Sequence, residues 1–385
     1  MDEDNNTLFV SKTSKKKKDN ILRFKNKKLF KKNLYKKSYN FLLLFLFILI
    51  IIMFFIIILY LINRNSRAIK FDLEKMHDVY KYSLKYDEFD ENINAQYIQL
   101  QNYFCEKQDK NTNDDYEKKI KLAKVNFLGK NYDMIVYKTL DDVSESIIKF
   151  HHWEKEYTKK VLTALEYYAN KTKLESKDIY LIDIGSNIGW YSYYIGKYGY
   201  KIFAFEANKL NSYILHKNYC INKDVNITII NKGLDKEEKF CTLKTMLHNN
   251  GNGMILCEKR DKFFSFHGEV YNDIELTKLS KYVKYLSKKN IAFIKMDVEG
   301  SEWNIIEGGK ELISKYHVPF IMMEFNVRVL EIHKTNVLEF LQFFENNGYK
   351  ISKTDFFSKK YTPASKLIEY NVTKELFIVY EKILE

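Results

Sequence analysis

The stretch Leu181–Asn208, "LIDIGSNIGWYSYYIGKYGYKIFAFEAN", decides the fold. An apolar run ends in Asp183, two glycines follow at Gly185 and Gly189, and a second apolar run ends in Glu206. "IYLID" (Ile179–Asp183) has the unbroken apolar character of a strand buried on both faces. A helix from about Ile188 to Lys197 and the strand "KIFAFE" follow it. Gly185 permits a tight turn and Gly189 lets the helix pack close. Backbone N–H groups at such a turn are well placed for a polar ligand group. Glu206 stands 23 residues after Asp183, where a carboxylate accepts both hydroxyls of a ribose in nucleotide-binding doubly wound folds.

Strand and helix patterns keep alternating beyond this stretch. Residues 209–221 read as helix, and "NITIIN", "IAFIKMD" (Ile291–Asp297) and "VPFIMMEF" (Val318–Phe325) as strands. "NVLEFLQFFENNG" is an amphipathic helix closed by Gly348, and the tail adds "KISKTDFF" and "ELFIVYEKI". Upstream, "KVNFLGKNYDMIVYK" predicts a hairpin around Gly129. "YTKKVLTALEYYA" places Val161, Leu162, Leu165 and Tyr168 on one helical face. The alternation predicts an α/β fold with a doubly wound, mostly parallel sheet and ligands at the carboxyl ends of its strands. Residues 232–270, with "HNNGNG" at His248–Gly253, interrupt the pattern and read as a turn-rich loop suited to a substrate lid.

The N-terminal third is of another kind. Phe41–Ile62 is a run of 22 uncharged residues, which as a helix spans about 33 Å, close to the hydrocarbon thickness of a bilayer. Residues 1–40 carry 13 Lys/Arg against 4 Asp/Glu, so +9 of the formal net charge of +13 lies there. That bias predicts a cytosolic tail (1–40), a single transmembrane helix (41–62) and a large domain across the membrane, in an endoplasmic reticulum or Golgi lumen. The remaining +4 argues against a nucleic-acid partner, which calls for a strongly basic face. Residues 63–120 read as a stem of two loosely held helices and a linker, leaving 121–385 as the main domain with a cofactor core at 179–330. Cys105, Cys220, Cys241 and Cys257 match no zinc spacing and allow three pairings, and buried free thiols are the simplest reading. Asn170, Asn226 and Asn371 begin glycosylation acceptors that matter only if the domain is lumenal.

The turn's chemistry narrows the ligand. A dinucleotide fold asks for Gly-x-Gly-x-x-Gly, with glycine where this chain has Asn187. An acid before the turn favours a ligand with a cationic amino acid end and an adenosine, which describes S-adenosylmethionine. "FIKMDVEGSEWNIIEGG" (Phe293–Gly309) then puts Lys295, Asp297, Glu299 and Glu302 at or just past a buried strand end, beside the same crevice. So many ionisable groups there point to function, because isolated buried charge is costly. Glu324, ending "FIMMEF", sits where a substrate-facing residue would; a structural hydrogen bond accounts for it equally. For Lys295 the alternative is an ion pair with Asp297 or Glu299. For Glu302 it is a helix-start acid favoured by the dipole. His151, His152 and His248 are not spaced with acids as metal ligands.

These blocks resemble the FkbM-type family of S-adenosylmethionine-dependent methyltransferases. Asp183-Ile-Gly185-Ser186-Asn187-Ile-Gly189 matches the family's acid-x-Gly-[Ala/Ser]-Asn-x-Gly. Phe205-Glu206-Ala207-Asn208 matches its F-E-P-N block with Ala207 for Pro, and Lys295–Gly300 its K-I-D-V-E-G. "DDVSESIIKFHHWE" (Asp141–Glu154) resembles its lead-in, with His152 where glycine is common. The resemblance covers about residues 123–380. It implies a Rossmann-like class I methyltransferase fold and O-methylation of a hydroxyl on a sugar or small-molecule acceptor. Asp183, Gly185, Ser186, Asn187, Gly189, Glu206 and Asn208 would hold the cofactor. Lys295, Asp297 and Glu299 would face the acceptor or the cofactor's amino acid end. A divalent metal near Asp297 stays open, since some methyltransferases use one. Rival readings are an inactive, membrane-tethered binding protein on the same fold, an NAD-dependent oxidoreductase, and a lumenal glycosyltransferase. The last commonly needs Asp-x-Asp, found here only as Asp2-Glu3-Asp4.

Overall fold

In a computed structural model the chain is described over residues 89–107, 114–257, 270–369 and 374–385. The basic tail, the apolar run 41–62, the first part of the stem and the acceptor at Asn371 lie outside the described residues. Among the described residues no helix is long and apolar enough to cross a membrane.

Thirteen strands are described. The hairpin is β1 (Ile120–Phe127) and β2 (Lys130–Tyr137), followed by β3 (Ile179–Ile184), β4 (Lys201–Phe205) and β5 (Ile227–Ile230). Next come β6 (Gly233–Leu234), β7 (Lys239–Met246), β8 (Asn249–Leu256) and β9 (Val270–Thr277). The chain ends with β10 (Asn290–Met296), β11 (Phe320–Phe325), β12 (Tyr349–Ser352) and β13 (Lys374–Tyr380). The central sheet has the order β5-β4-β3-β10-β11-β13-β12. Its first five members are parallel, and β13 inserts antiparallel between β11 and β12. A dinucleotide-binding sheet instead closes with its last strand beside the fifth. The crevice at the reversal of strand order therefore opens between the ends of β3 and β10.

The longer helices are α1 (Glu91–Lys107), α2 (Asp142–Phe150), α3 (Lys155–Thr172), α4 (Trp190–Gly196) and α5 (Lys209–Ile221). They are followed by α6 (Ser280–Leu286), α7 (Glu302–Glu307), α8 (Val327–Ile332) and α9 (Val337–Asn346). Strand alternation feeds two cores. Ile179 and Leu181 of β3 join the hairpin and α2–α5, whereas Ile182 and Ile184 join α6–α9 on the other face. Wholly buried Phe293, Phe320, Phe340 and Phe344 anchor these layers, each stabilising by about 1.5–3 kcal/mol relative to exposure.

The structure changes three expectations. From Phe89 to Lys107 the stem is a docked element built on one helix rather than a loosely held one, while residues 63–88 lie outside the described residues. Phe89 packs its ring 5.2 Å from Phe203 and 5.1 Å from both Tyr282 and Tyr285. The Gln101 amide group donates to Ile227 O (3.0 Å) and accepts from Ile229 N (2.8 Å), capping the exposed edge of β5. Its polar outer face hides this docking from a hydrophobicity pattern. Residues 232–270 are not a plain loop over their described part, because β6–β9 form a four-stranded sheet in the order β6-β9-β7-β8. Free thiols give way to two disulfides: Cys105–Cys220 ties α1 to α5, and Cys241–Cys257 ties β7 to the end of β8. Of the glycosylation acceptors, Asn170 lies exposed in α3 and Asn226 exposed just before β5.

Candidate active site

The glycine turn follows β3. Gly185 has φ +73°, and a Cβ there would stand 2.0 Å from the Asp297 carbonyl oxygen. Only glycine lets the turn after β3 and the segment after β10 lie in contact. Gly189 packs as expected, since a Cβ would meet Leu215 Cδ1 at 2.5 Å. Its residue is behind the cavity wall, not on it.

The turn's N–H groups are not offered to a ligand as expected. Gly185 N and Ser186 N both donate to Phe205 O (3.0 Å each), and Gly189 N donates to Ser186 O (2.9 Å). Ile188 N donates to the Asn187 side chain and Asn187 N to Glu206 Oε2, both at 2.7 Å. The bare amides that a pyrophosphate requires are thus already bonded within the protein. What the turn presents is Glu206. Asn208 N donates to its Oε1 (2.7 Å), so the carboxylate is fixed from both sides and retains acceptor capacity toward the cavity that it lines. Burial raises its pKa to about 7, against the two amide bonds that favour the charged form. This suits the hydroxyl pair of a ribose, and so the adenosine of S-adenosylmethionine. Asn208 caps α5 by accepting from Leu210 N (2.9 Å), and it too lines the cavity.

Asp183 sits deeper than expected. It is 1 % exposed, its Oδ2 accepts from Ser192 Oγ at 2.6 Å, and it lies behind the cavity wall. Its ladder partner on β10 is Lys295. Asp183 therefore acts on the site from behind, by fixing α4 and facing the lysine, without lining the wall.

The opposite wall is acidic. Lys295 Nζ lies 3.3 Å from Gly185 O and 3.3 Å from Asp297 Oδ2, so the ion-pair alternative holds for it. Burial opposes its charge, but Asp297, Asp183 and Glu154 outweigh that and raise its pKa. Glu154, Glu299, Glu324 and Glu375 face the same cavity. Burial, and then the charge of Asp297, raises Glu299, Glu324 and Glu375. Glu154 is also raised by burial, with Tyr191 OH donating to its Oε2 (2.6 Å). Glu302 is a helix-start acid, accepting from Val298 N (3.4 Å) and Gly300 N (3.3 Å).

Both walls enclose a cavity of about 270 Å³, which β8 closes on one side. Asn211 Nδ2 donates to Gly251 O (2.8 Å) and Asn249 Nδ2 to Asp142 Oδ2 (3.0 Å), holding β8 down. Gly251 is required there, since a Cβ would stand 2.1 Å from Asp141 Oδ1. Trp153 lines the cavity, whereas His151, His152 and His248 do not. Of the expected site residues, Gly185, Ser186, Asn187, Glu206, Asn208, Lys295, Asp297 and Glu299 come together on the walls. Glu154, Tyr191 and Glu375 were not singled out by sequence. The one available signal for Glu375 is a charge set against the buried run "LFIVY".

Residues 183–351 match the sequence model of the "Methyltransferase FkbM domain" family. No curated protein matches the chain. Among solved structures, the chain is similar to a precorrin-6y C5,15-methyltransferase from Geobacter metallireducens, with 14% identity and TM-score 0.30, covering 60% of this chain and 92% of that one. It is similar to a SAM-dependent methyltransferase from Agrobacterium tumefaciens at 10% identity and TM-score 0.33, over 68% and 70% of the two chains. The bifunctional kinase-methyltransferase WbdD is 9% identical with TM-score 0.37; the match covers 63% of this chain and only 42% of WbdD. Likenesses this distant carry no argument about acceptor or mechanism.

Proposed function

From the match of residues 183–351 to the methyltransferase FkbM domain family, we propose that the chain is a membrane-anchored, S-adenosylmethionine-dependent O-methyltransferase. Its acceptor is a hydroxyl on a sugar or small molecule, and its domain faces a lumenal compartment. The observation that carries this reading is one cavity with two unlike walls: Glu206, seated by backbone amides, faces a lysine–carboxylate cluster across it. Two disulfides suit an oxidising lumen, and the apolar run 41–62 with its basic flank suits the anchor.

In the mechanism this supports, Glu206 accepts the ribose hydroxyls, and the wall of Gly185–Asn187 shapes the space beside them. S-adenosylmethionine, when bound, supplies a methyl group on a sulfonium that carries its own leaving group. The chain therefore mainly orients the partners and excludes water. A wall carboxylate among Asp297, Glu299 and Glu324 would take the proton of the acceptor hydroxyl as that oxygen receives the methyl group. Lys295, fixed by Gly185 O and Asp297, links the two walls and holds their spacing.

Calorimetric titration of the full-length chain with S-adenosylmethionine and its demethylated product tests the reading, with NAD in parallel. Micromolar binding of the first two and none of NAD is expected. Absence of binding by a folded chain overturns it and leaves a tethered scaffold on a methyltransferase fold.

A further inference from the structure

We propose that Asp297, Glu299 and Glu324 bind one hard divalent cation, with Glu375 completing the site from the neighbouring strand. One oxygen from each of the first three lies within 4.8 Å of the others. That span fits ligands around a single ion, since calcium's 2.3–2.6 Å bonds put opposed oxygens about 4.6–5.2 Å apart.

The ladder supplies an observation independent of the triad. Antiparallel pairing sets Glu375 of β13 directly opposite Glu324 of β11. Like charges so placed repel. Glu375 is largely enclosed and faces the same cavity, and among the described residues its carboxylate makes no hydrogen bond or ion pair. The neighbouring cation, Lys295, is engaged by Asp297 and Gly185 O. The carboxylates facing this space outnumber the one lysine that acts on them, Lys295, and such an excess of partly buried negative charge calls for a cation there. Among the described residues the donor set is all carboxylate, with no histidine or cysteine on the wall. That selects magnesium, manganese or calcium over zinc or copper.

The consequence of the site rests on the proposed methyltransferase reading, although its occurrence does not. A divalent ion at this wall would bind an acceptor hydroxyl and lower its pKa, and two adjacent hydroxyls would chelate it. The acceptor class is then narrowed to a vicinal diol, as in a sugar.

The test is Mn²⁺ binding to the full-length chain in detergent, with free ion counted by electron paramagnetic resonance at pH 7.5. One ion held per chain at micromolar concentration is expected, displaced by Mg²⁺ or Ca²⁺. Glu324→Gln and Glu375→Gln should each weaken it at least tenfold, while Glu339→Gln on the exposed face of α9 leaves it unchanged. Thermal unfolding of each variant establishes that the fold survives. No bound Mn²⁺, or binding that neither cavity variant alters, overturns the inference. S-adenosylmethionine calorimetry on the same preparation separates the two ideas. Cofactor binding without Mn²⁺ removes the metal site alone, and Mn²⁺ binding without cofactor removes the methyltransferase reading alone.

Discussion

The two walls of the cavity are built on opposite plans. The glycine-turn wall comes from one contiguous unit, Asp183–Asn208, in which nearly every polar group has a partner inside the protein. The acidic wall is assembled from four distant places: Glu154 before α3, Asp297 and Glu299 after β10, Glu324 on β11, and Glu375 on β13. There the carboxylates outnumber their partners. The difference separates mould from reagent. A wall whose bonds are satisfied internally holds a shape, and a wall with uncompensated charge waits for something to bind. The contrast fails if substitutions on either wall change shape and binding to the same extent.

The sharpest way to break it is at the point where the walls touch. Gly185→Ala puts a methyl group 2.0 Å from the Asp297 carbonyl at φ +73°. The backbone cannot yield without moving the ends of β3 and β10 apart. We expect a loss of at least about 3 kcal/mol in thermal unfolding, with cofactor affinity down at least 100-fold. Gly129→Ala is the control. Its φ is +76° but nothing lies within 4 Å, so only the left-handed conformation costs, about 1 kcal/mol. Equal losses in the two variants would mean that the walls do not bear on each other through Gly185.

How much of each wall the sequence discloses follows from the same contrast. The glycine-turn wall is local, so its spacing of acids and glycines is legible in 28 residues, and the strands around it read correctly. Even there, the use of the turn amides was hidden, because it depends on where Phe205 O and Glu206 fall in space. Lys295 and Asp297 announced themselves as charges ending an apolar run. Glu375 did not, because its meaning lies in a register: only antiparallel insertion of β13 beside β11 sets it against Glu324. The docking of α1 is long-range in the same way. Gln101 reads as one more polar residue until the open edge of β5 appears beside it. The strands β6–β9 went unread because Gly- and Asn-rich "HNNGNG" signals turns more strongly than it signals a strand.

A second substitution sharpens the contrast by altering chemistry while sparing shape. Glu206→Gln keeps one oxygen for a backbone amide but turns a donor toward the other, and it loses one acceptor for the ribose. S-adenosylmethionine should bind about 10–100-fold more weakly, the range expected when a charge-assisted pair of hydrogen bonds worth about 1.5–3 kcal/mol is lost. The pH dependence gives a second readout. With its pKa near 7 in the folded chain, Glu206 is increasingly ionised from pH 6 to 8, so wild-type affinity should rise over that window and the variant's should not. The sign for stability is opposite. A raised carboxyl pKa means that the folded state keeps a proton the unfolded chain releases. Its contribution is therefore present below the ordinary carboxyl range and is lost as pH rises through about 7. Cofactor affinity in the wild type that is flat with pH would place the ribose elsewhere.

The smallest effect is expected from Tyr191→Phe, and its smallness is the point. Tyr191 belongs to α4 on the glycine-turn side, yet its hydroxyl donates to Glu154 Oε2 at 2.6 Å on the acidic side. Removing that hydroxyl leaves a buried carboxylate without its donor, beside the charge of Asp297. Burial already raises Glu154, and the lost hydrogen bond raises it further, so the folded variant answers by taking up a proton. The cost should be about 1 kcal/mol at alkaline pH, where Glu154 is ionised, and should shrink at acidic pH, as the raised carboxyl takes up its proton in wild type and variant alike. Chemical unfolding at an alkaline and an acidic pH measures it. Affinity for S-adenosylmethionine should stay within twofold, because the bond joins the walls without touching the seat of Glu206. A tenfold fall in affinity would instead place Tyr191 on the cofactor itself. The mould would then extend across the cavity, and the division between a wall that shapes and a wall that reacts would not survive.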